Sequence, residues 1–325
     1  MKYFSMFSGI GGFEYGIQQA HSRMENEWKK VMGAWSEYYK GEIKSNPGAN
    51  IPLPQRPDGL LGGCSCPENI GYSEIDKYAI QIYEKQFKGH KNYGNCREIK
   101  WEEVEDFDML VGGFPCQAFS IAGKRGGFDD TRGTLFFEIA RCLKEKQPRN
   151  FLIENVKGLL SHDKGNTFLT IITTLDELGY DLQWQVLNSK NFGVPQNRER
   201  VFIVGHLRGT SRPEVFPITR QEQEVERSNT KISNLEWVAD FMGDEGLRIR
   251  PEKLANTLQA QARQDGTAGQ TLIKVGKIRR LTPTECERLQ GFPDGWTKGI
   301  SDTQRYKCLG NAVTVNVIEA IMEKL

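Results

Sequence analysis

Short apolar runs alternate with amphipathic segments over most of the N-terminal part of this chain. The runs that have the length of buried strands lie at residues 2–7, 70–76, 107–111, 151–153, 184–187 and 200–205. Segments with helical spacing lie between them, at residues 13–20, 77–87, 133–146 and 167–178. Such an alternation predicts an open α/β sheet with crossover connections. Ligands bind such sheets at the carboxyl ends of the strands.

A glycine-rich turn joins the first predicted strand to the first helix. Gly9, Gly11 and Gly12 would let a ligand approach the backbone N–H groups of the helix, as in nucleotide-cofactor sites. Tight strand–helix turns also use glycine without any ligand, so the turn alone leaves both interpretations open. In a cofactor site an acidic partner for the ribose stands at the end of the second strand, where Glu74 lies.

Residues 21–69 make the connection to that second strand far too long for one crossover. We interpret them as an insertion, with a short amphipathic helix at residues 27–39 followed by a Pro/Gly-rich irregular loop. Two roles for this insertion are open: an additional surface segment without a function of its own, or a lid that contacts DNA or a partner.

Reactive side chains follow three of the predicted strands, namely Glu74, Cys116 and Glu154. Cys116 stands after two glycines, a phenylalanine and a proline, which predict a rigid loop with the thiol at its tip. A cysteine in a turn is often only a small buried apolar residue. The shared sheet edge with two carboxylates favours a reactive thiol instead.

The composition is typical of a soluble globular protein, with 38% hydrophobic and 26% charged residues. No apolar run approaches the length of a bilayer span and the N-terminus lacks the layout of a signal peptide, so we expect a cytoplasmic protein. The seven cysteines are scattered, and the Cys64–Cys66 pair lacks a second pair at zinc-finger spacing. We therefore predict reduced thiols and no metal. The net charge of +1 means that nucleic-acid binding would need local basic patches.

The pattern changes after residue 206. Residues 207–275 are polar and weakly periodic, and a loop at residues 259–267 carries Gln259 and Arg263. Amide and guanidinium groups can read base edges, although an ordinary solvated loop is the alternative. Lys277, Arg279 and Arg280 form a basic cluster suited to phosphate contact. A final helix is predicted to open near Asn311 as its N-cap.

Six motifs follow one another in a characteristic order. They are Phe7-Ser8-Gly9-Ile10-Gly11-Gly12-Phe13-Glu14, Pro115-Cys116-Gln117, Glu154-Asn155-Val156, Gln196-Asn197-Arg198-Glu199-Arg200, Gln290-Gly291-Phe292-Pro293-Asp294 and Gly310-Asn311-Ala312-Val313. With them the chain resembles the DNA cytosine-5 methyltransferases of bacteria and phages. The resemblance spans nearly the whole chain apart from residues 21–69 and 207–275.

The resemblance implies a Rossmann-like, S-adenosylmethionine-dependent methyltransferase domain at residues 1–206, completed by a C-terminal helix at residues 304–325. It implies a smaller, irregular target-recognition domain with its hinge at residues 207–303. Cys116 would be the covalent nucleophile, Glu154 would hold cytosine N3 and the exocyclic amine, and Arg198 and Arg200 would lie beside the base.

The methyl donor would be S-adenosylmethionine, leaving S-adenosylhomocysteine. The residues implied to bind it are Phe7, Gly9, Gly11, Gly12, Glu74, Ile75, Asn95, Cys96, Leu135, Asn311 and Val313. Asn95 departs from the family's usual aspartate, which accepts a bond from the adenine amine. An asparagine oxygen accepts that bond without charge, so we predict retained but modestly weaker binding.

Double-stranded DNA would be the partner, and the target base must leave the stack to be reached. The glycine-rich basic segment at residues 120–132 is predicted to close over DNA as a lid, against the alternative of a disordered surface loop. The residues implied to contact DNA are Gln117, Ser120, Lys124, Arg125, Gln259, Arg263, Arg279 and Arg280.

Two other functions are weighed against this one. An RNA-directed relative that methylates tRNA would keep the same catalytic motifs, but the polar segment at residues 207–275 favours a DNA target-recognition domain. A non-catalytic relative is disfavoured because Cys116, Glu154 and Arg200 are all present. We expect a monomer. Whether it acts beside a companion restriction endonuclease or as a solitary or phage-borne protective enzyme is open.

Overall fold

The computed structural model describes residues 1–45, 66–115, 135–218, 237–241, 247–250, 255–256, 258, 271–275 and 277–325. The helices are α1 (Gly12–Ser45), α2 (Lys77–Gln86), α3 (Phe136–Lys146), α4 (Asn166–Glu177), α5 (Pro283–Leu289), α6 (Asp302–Asn311) and α7 (Val315–Met322). The strands up to residue 207 are β1 (Lys2–Met6), β2 (Glu68–Ser73), β3 (Met109–Gly113), β4 (Asn150–Val156), β5 (Tyr180–Asn188), β6 (Gln196–Asn197) and β7 (Glu199–Leu207). Beyond them lie β8 (Trp237–Phe241), β9 (Leu247–Arg250), β10 (Ala255–Asn256), β11 (Thr271–Val275) and β12 (Lys277–Arg280).

The central sheet has six strands in the order β2-β1-β3-β4-β7-β5. The first four are parallel, whereas β7 and β5 are antiparallel to their neighbours. The register pairs Met6 with both Ser73 and Gly112, and Gly113 with Glu154. The carboxyl ends of the four parallel strands therefore meet at one edge, which confirms the predicted α/β fold and brings Glu74, Glu154 and the start of the Cys116 loop together.

The first helix is longer than the sequence predicts. A single helix of 34 residues replaces the separate segments expected at residues 13–20 and 27–39. No proline interrupts it, and ion pairs at i,i+4 spacing, such as Arg23–Glu27, support its solvated half. Its first turns pack closely on α7, since a Cβ on Gly16 would lie 2.6 Å from Ile318. Tertiary packing holds the start of the helix, and uninterrupted helix-forming residues extend it.

The C-terminal region also differs from the expectation. The helix predicted at residues 304–325 is two helices, and Asn311 is the last residue of α6 rather than an N-cap, a position that Thr314 takes for α7. The sequence predicts that residues 281–303 belong to the recognition domain and its hinge, yet Leu289 and Trp296 share a core cluster with Ile10 and other residues of the catalytic domain. We therefore propose that the recognition part ends before residue 281.

A second sheet of four antiparallel strands, β12-β11-β8-β9, is formed within residues 237–280. A short parallel pairing of β10 with β6 connects this part of the chain to the catalytic domain. Among the described residues, no helix combines the length and the hydropathy that a bilayer span requires.

Candidate active site

A cavity of about 480 Å³ lies along the carboxyl edge of the sheet. The predicted cofactor and catalytic residues that line it are Phe7, Gly9, Glu74, Ile75, Asn95, Cys96, Leu135, Glu154, Arg198, Arg200 and Asn311. The predicted residues Cys116, Gln117, Ser120, Lys124, Arg125, Gln259 and Arg263, and the residue 120–132 segment, lie outside the described residues. Of the predicted phosphate contacts, Arg279 and Arg280 lie in β12, at an edge of the second sheet, and Arg280 is exposed.

The Glu74 carboxylate is held at one end of the cavity by three backbone N–H groups. Its Oε2 accepts from Gly9 at 2.9 Å, and its Oε1 accepts from Ile75 and Asp76 at 2.8 Å each. The Ile75 side chain beside it is 73% exposed, which is unusual for a large apolar residue. A fixed acceptor next to an exposed apolar surface suits the ribose hydroxyls and the flat adenine face of S-adenosylmethionine.

Three residues predicted to bind the cofactor are not among those that line the cavity, and they pack closely on their neighbours. Gly11 has φ +86°, and a Cβ there would lie 2.2 Å from the Phe87 ring. A Cβ on Gly12 would lie 2.7 Å from Val313, whose own side chain is buried. Gly11, Gly12 and Val313 therefore allow the start of α1 to approach its neighbours closely.

Glu154 and Arg200 form an ion pair at the other end of the cavity. Arg200 Nε lies 2.9 Å from Glu154 Oε1, and the two side chains are only 14% and 13% exposed. Burial raises the pKa of Glu154, although the charges of Arg200 and Arg198 oppose the shift. A Cβ on Gly113 would come within 3.0 Å of Glu154 Oε2, so glycine keeps that oxygen clear. The carboxyl can hold a proton at a higher pH than an exposed glutamate.

Arg198 is more deeply buried than a residue expected to lie against the base. It is 2% exposed, and its guanidinium donates to the carbonyls of Ala312 at 2.7 Å and Gly310 at 3.2 Å. Burial, and then the charge of Arg200, lower the pKa of Arg198 to about 9, so the group stays charged at neutral pH. Its Nε is buried with no hydrogen-bond partner. The guanidinium binds the cofactor-side segment at residues 310–312 and adds positive charge behind Glu154.

The base of the Cys116 loop is fixed by Asn155, to which sequence reasoning assigned no role. Its Nδ2 donates to the Phe114 carbonyl at 2.9 Å, and its Oδ1 accepts from Val156 N at 2.8 Å. Pro115, the residue before Cys116, lines the cavity. The loop therefore leaves β3 directly beside the Glu154 carboxyl.

Sequence reasoning also gave no role to Asp76 and Cys308, which line the cavity. A signal for Asp76 existed, since an aspartate before a helical segment is a common N-cap, and its side chain caps α2. Cys308 had no local signal, because only the packing of α6 brings it to the cavity.

Solved structures of similar fold are methyltransferases. The Entamoeba histolytica methyltransferase EhMeth superimposes with a TM-score of 0.63 at 20% identity, over 100% of this chain and 97% of that one. The S. pombe Dnmt2 methyltransferase gives a TM-score of 0.63 at 18% identity, over 99% and 97% of the two chains. The fold is therefore that of these methyltransferases, an α/β sheet flanked by helices.

The sequence comparisons show the family. A family profile described as C-5 cytosine-specific DNA methylase matches residues 67–254 and 245–325. The chain is 44% identical over 280 residues to the Type II methyltransferase M1.ScrFI of Lactococcus lactis subsp. cremoris, covering 79% of this chain and 72% of the relative. It is 38% identical over 290 residues to the Type II methyltransferase M.HhaI of Haemophilus parahaemolyticus, covering 79% and 87%.

This chain belongs to the C-5 cytosine-specific DNA methylase family. It is an enzyme that uses S-adenosylmethionine to methylate carbon 5 of cytosine in DNA. The donor set of the cavity fits that cofactor, since the fixed Glu74 carboxylate suits hydroxyl groups and the exposed Ile75 suits an apolar ring face.

Asn95→Asp is expected to tighten S-adenosylmethionine binding by about three- to tenfold, because a charged acceptor makes a stronger hydrogen bond. The Asn95 Oδ1 accepts from Arg97 N at 3.2 Å and its Nδ2 donates to Glu98 Oε1 at 2.9 Å. A carboxylate at this position would face Glu98, so the substitution is best measured in a Glu98→Gln background, with Glu98→Gln alone as the control. Unchanged or weaker affinity by calorimetry in that background would contradict the prediction.

Proposed function

We propose that this enzyme methylates a flipped-out cytosine within a specific sequence of duplex DNA, as the modifying partner in restriction–modification. The observation that carries the site assignment is the buried Glu154–Arg200 pair beside the loop that leads to Cys116. Relatives named Type II methyltransferases, at 44% and 41% identity, support the restriction–modification role.

The chemistry begins with covalent addition, because carbon 5 of cytosine is too weak a nucleophile to take a methyl group directly. We assign the attack on carbon 6 to the Cys116 thiolate, which drives the electron pair of the 5,6 double bond towards carbon 5. Glu154 in its protonated form donates to N3, where negative charge develops. Arg200, oriented by its bond to Glu154, donates to O2.

S-adenosylmethionine, when bound, supplies the methyl group to carbon 5. Loss of the carbon 5 proton to a base, water in the simplest case, then restores the 5,6 double bond and expels the Cys116 thiolate, while N3 returns its proton to Glu154. Phe7, Gly9, Glu74, Ile75, Asn95, Cys96, Leu135 and Asn311 form the wall that would hold the cofactor.

Residues 219–280 are proposed to recognise the DNA. The four-stranded sheet lies in this part of the chain. Outside that sheet, Ala255, Asn256 and Leu258 contact the segment at residues 195–198 that carries Arg198. Ala255 N donates to the Pro195 carbonyl at 2.9 Å, and Arg198 donates to the Leu258 carbonyl at 3.4 Å. The recognition part is thus connected to the catalytic arginine segment by its backbone. We further propose a cytoplasmic monomer that forms no stable complex with its endonuclease.

The proposed function predicts methylated cytosines at one sequence in the DNA of cells that express this chain. The test is bisulfite sequencing of DNA from a methylation-deficient host, together with labelled methyl transfer to duplex DNA and to tRNA in parallel. A Cys116→Ser variant provides the control for background conversion. Incorporation into tRNA alone, or scattered cytosines with no shared sequence, would contradict the proposal.

A further inference from the structure

The cofactor cavity is enclosed by two walls from distant parts of the chain. Asp76 and Ala79 line it from the start of α2, and Cys308, Gly310 and Asn311 line it from the end of α6. These two helices are far apart in sequence. The distance in space between the start of α2 and the end of α6 determines how tightly a bound ligand is enclosed.

A charged contact joins these walls at the cavity. The Lys307 Nζ donates to Asp76 Oδ2 at 2.6 Å across 231 residues of sequence. The Asp76 Oδ1 accepts from Tyr78 N at 2.9 Å and so caps α2 at the same time. The hydrogen bond to Asp76 raises the pKa of Lys307, so the ammonium is charged at neutral pH.

The contact is adjacent to the carboxylate assigned to the ribose. The backbone N–H of Asp76 donates to Glu74 Oε1 at 2.8 Å, so a shift of Asp76 would move Glu74. On the other wall, Cys308 follows Lys307 directly and lines the cavity, whereas Lys307 is not among the lining residues. Any effect of Lys307 on the cavity must therefore pass through Asp76 and Cys308.

Other contacts hold the far end of α2 without this ion pair. Gln86 Nε2 donates to the Trp296 carbonyl at 2.9 Å, and Lys85 Nζ donates to the Lys298 carbonyl at 3.1 Å. Trp296 Nε1 also donates to the Ile10 carbonyl at 2.9 Å. Loss of the Lys307 charge should therefore loosen the cavity locally while α2 stays packed.

We propose that Lys307 and Asp76 form a clasp between the two walls, and that Lys307 is a positioning residue that sets how tightly and how long the cofactor is held. The inference rests on the assignment of this cavity to S-adenosylmethionine. Glu74→Gln tests that assignment separately. If Glu74→Gln leaves S-adenosylhomocysteine binding unchanged, the cavity assignment fails, whatever Lys307 does.

Lys307→Met keeps the length of the side chain and removes its charge. Because both partners are partly exposed, at 43% and 28%, we expect a moderate effect. The dissociation constant and the dissociation rate of S-adenosylhomocysteine should rise about three- to fivefold. The KM for S-adenosylmethionine should rise by the same factor, with kcat within about twofold of wild type.

The matched control is Lys2→Met, which removes an ion pair with Glu105 at the other end of β1. It should change neither the binding of S-adenosylhomocysteine nor the KM for S-adenosylmethionine.

The salt dependence of product affinity distinguishes the loss of this ion pair from a general loss of structure. At about 1 M salt the screening length falls to about 3 Å, so the wild-type affinity for S-adenosylhomocysteine, a zwitterion with no net charge, should move towards that of Lys307→Met. The affinity of Lys307→Met should depend little on salt. If Lys307→Met binds as tightly as wild type at low salt, or keeps its full deficit at high salt, the proposal is overturned.

A double-mutant cycle provides the second test. Asp76→Asn keeps an oxygen to cap α2 and removes the charge that pairs with Lys307. In a clasp, the double variant binds S-adenosylhomocysteine no more weakly than either single variant. Additive losses would show that the two residues act independently and would overturn the proposal. Thermal unfolding of each variant verifies that it is folded.

Discussion

Cys116→Ser is expected to lower the rate of methyl transfer by at least about 10⁴-fold, with S-adenosylhomocysteine binding retained. A serine hydroxyl is far less acidic than a thiol and does not add to carbon 6 at neutral pH. Without that addition, carbon 5 gains no electron density and no methyl group is transferred. The measurement is labelled methyl transfer under single-turnover conditions, with calorimetry of product binding.

The covalent bond itself can be captured. DNA that contains 5-fluorocytosine has no proton to lose at carbon 5, so the wild-type enzyme should remain attached to it. Cys66→Ser is the matched control, because Cys66 is an exposed free cysteine away from the cavity lining. The adduct should persist in Cys66→Ser and disappear in Cys116→Ser. An adduct that survives in Cys116→Ser would contradict the assignment of the nucleophile.

Glu154→Gln is expected to lower the single-turnover rate by about 10²- to 10⁴-fold, the usual contribution of a positioned general acid. The amide retains the shape of the carboxyl and can donate a hydrogen bond, but it transfers no proton to N3. The substitution also removes the ion pair with Arg200 and leaves that buried guanidinium without its charged partner, which lowers the stability of the fold. Thermal unfolding must therefore accompany the rate measurement. Glu154→Asp keeps the charge and separates the two effects.

The proposed role of Glu154 also predicts the direction in which the methyl-transfer rate changes with pH. Burial raises the pKa of Glu154, so the protonated form that donates to N3 persists to higher pH than for an exposed glutamate. The wild-type rate should fall as the pH rises through that raised pKa. Glu154→Gln should lack this fall. A wild-type rate that rises over the same range, or a glutamine variant within tenfold of wild type, would contradict the role of Glu154.

Much of the catalytic architecture follows from local patterns. Apolar runs predicted the parallel strands, and their ends placed Glu74, Cys116 and Glu154 at one edge, which the sheet register confirms for Glu74, Glu154 and the base of the Cys116 loop. Element boundaries were wrong where they depend on packing, as in the single helix α1 and the break between α6 and α7. Residues 281–303 likewise pack on the catalytic core through distant contacts, and the proposed end of the recognition part rests on that packing.

The sequence by itself determined the fold class, because strand and helix periodicity are local properties of the chain, and the resemblance of its short motifs indicated the family. Only the tertiary structure decided which of these residues line the cavity. It placed Gly11 and Gly12 in the packing behind the wall, tied Arg198 to the carbonyls at residues 310–312, and paired Lys307 with Asp76. Each of these outcomes depends on contacts between segments far apart in sequence, and no local pattern of side chains encodes such a contact.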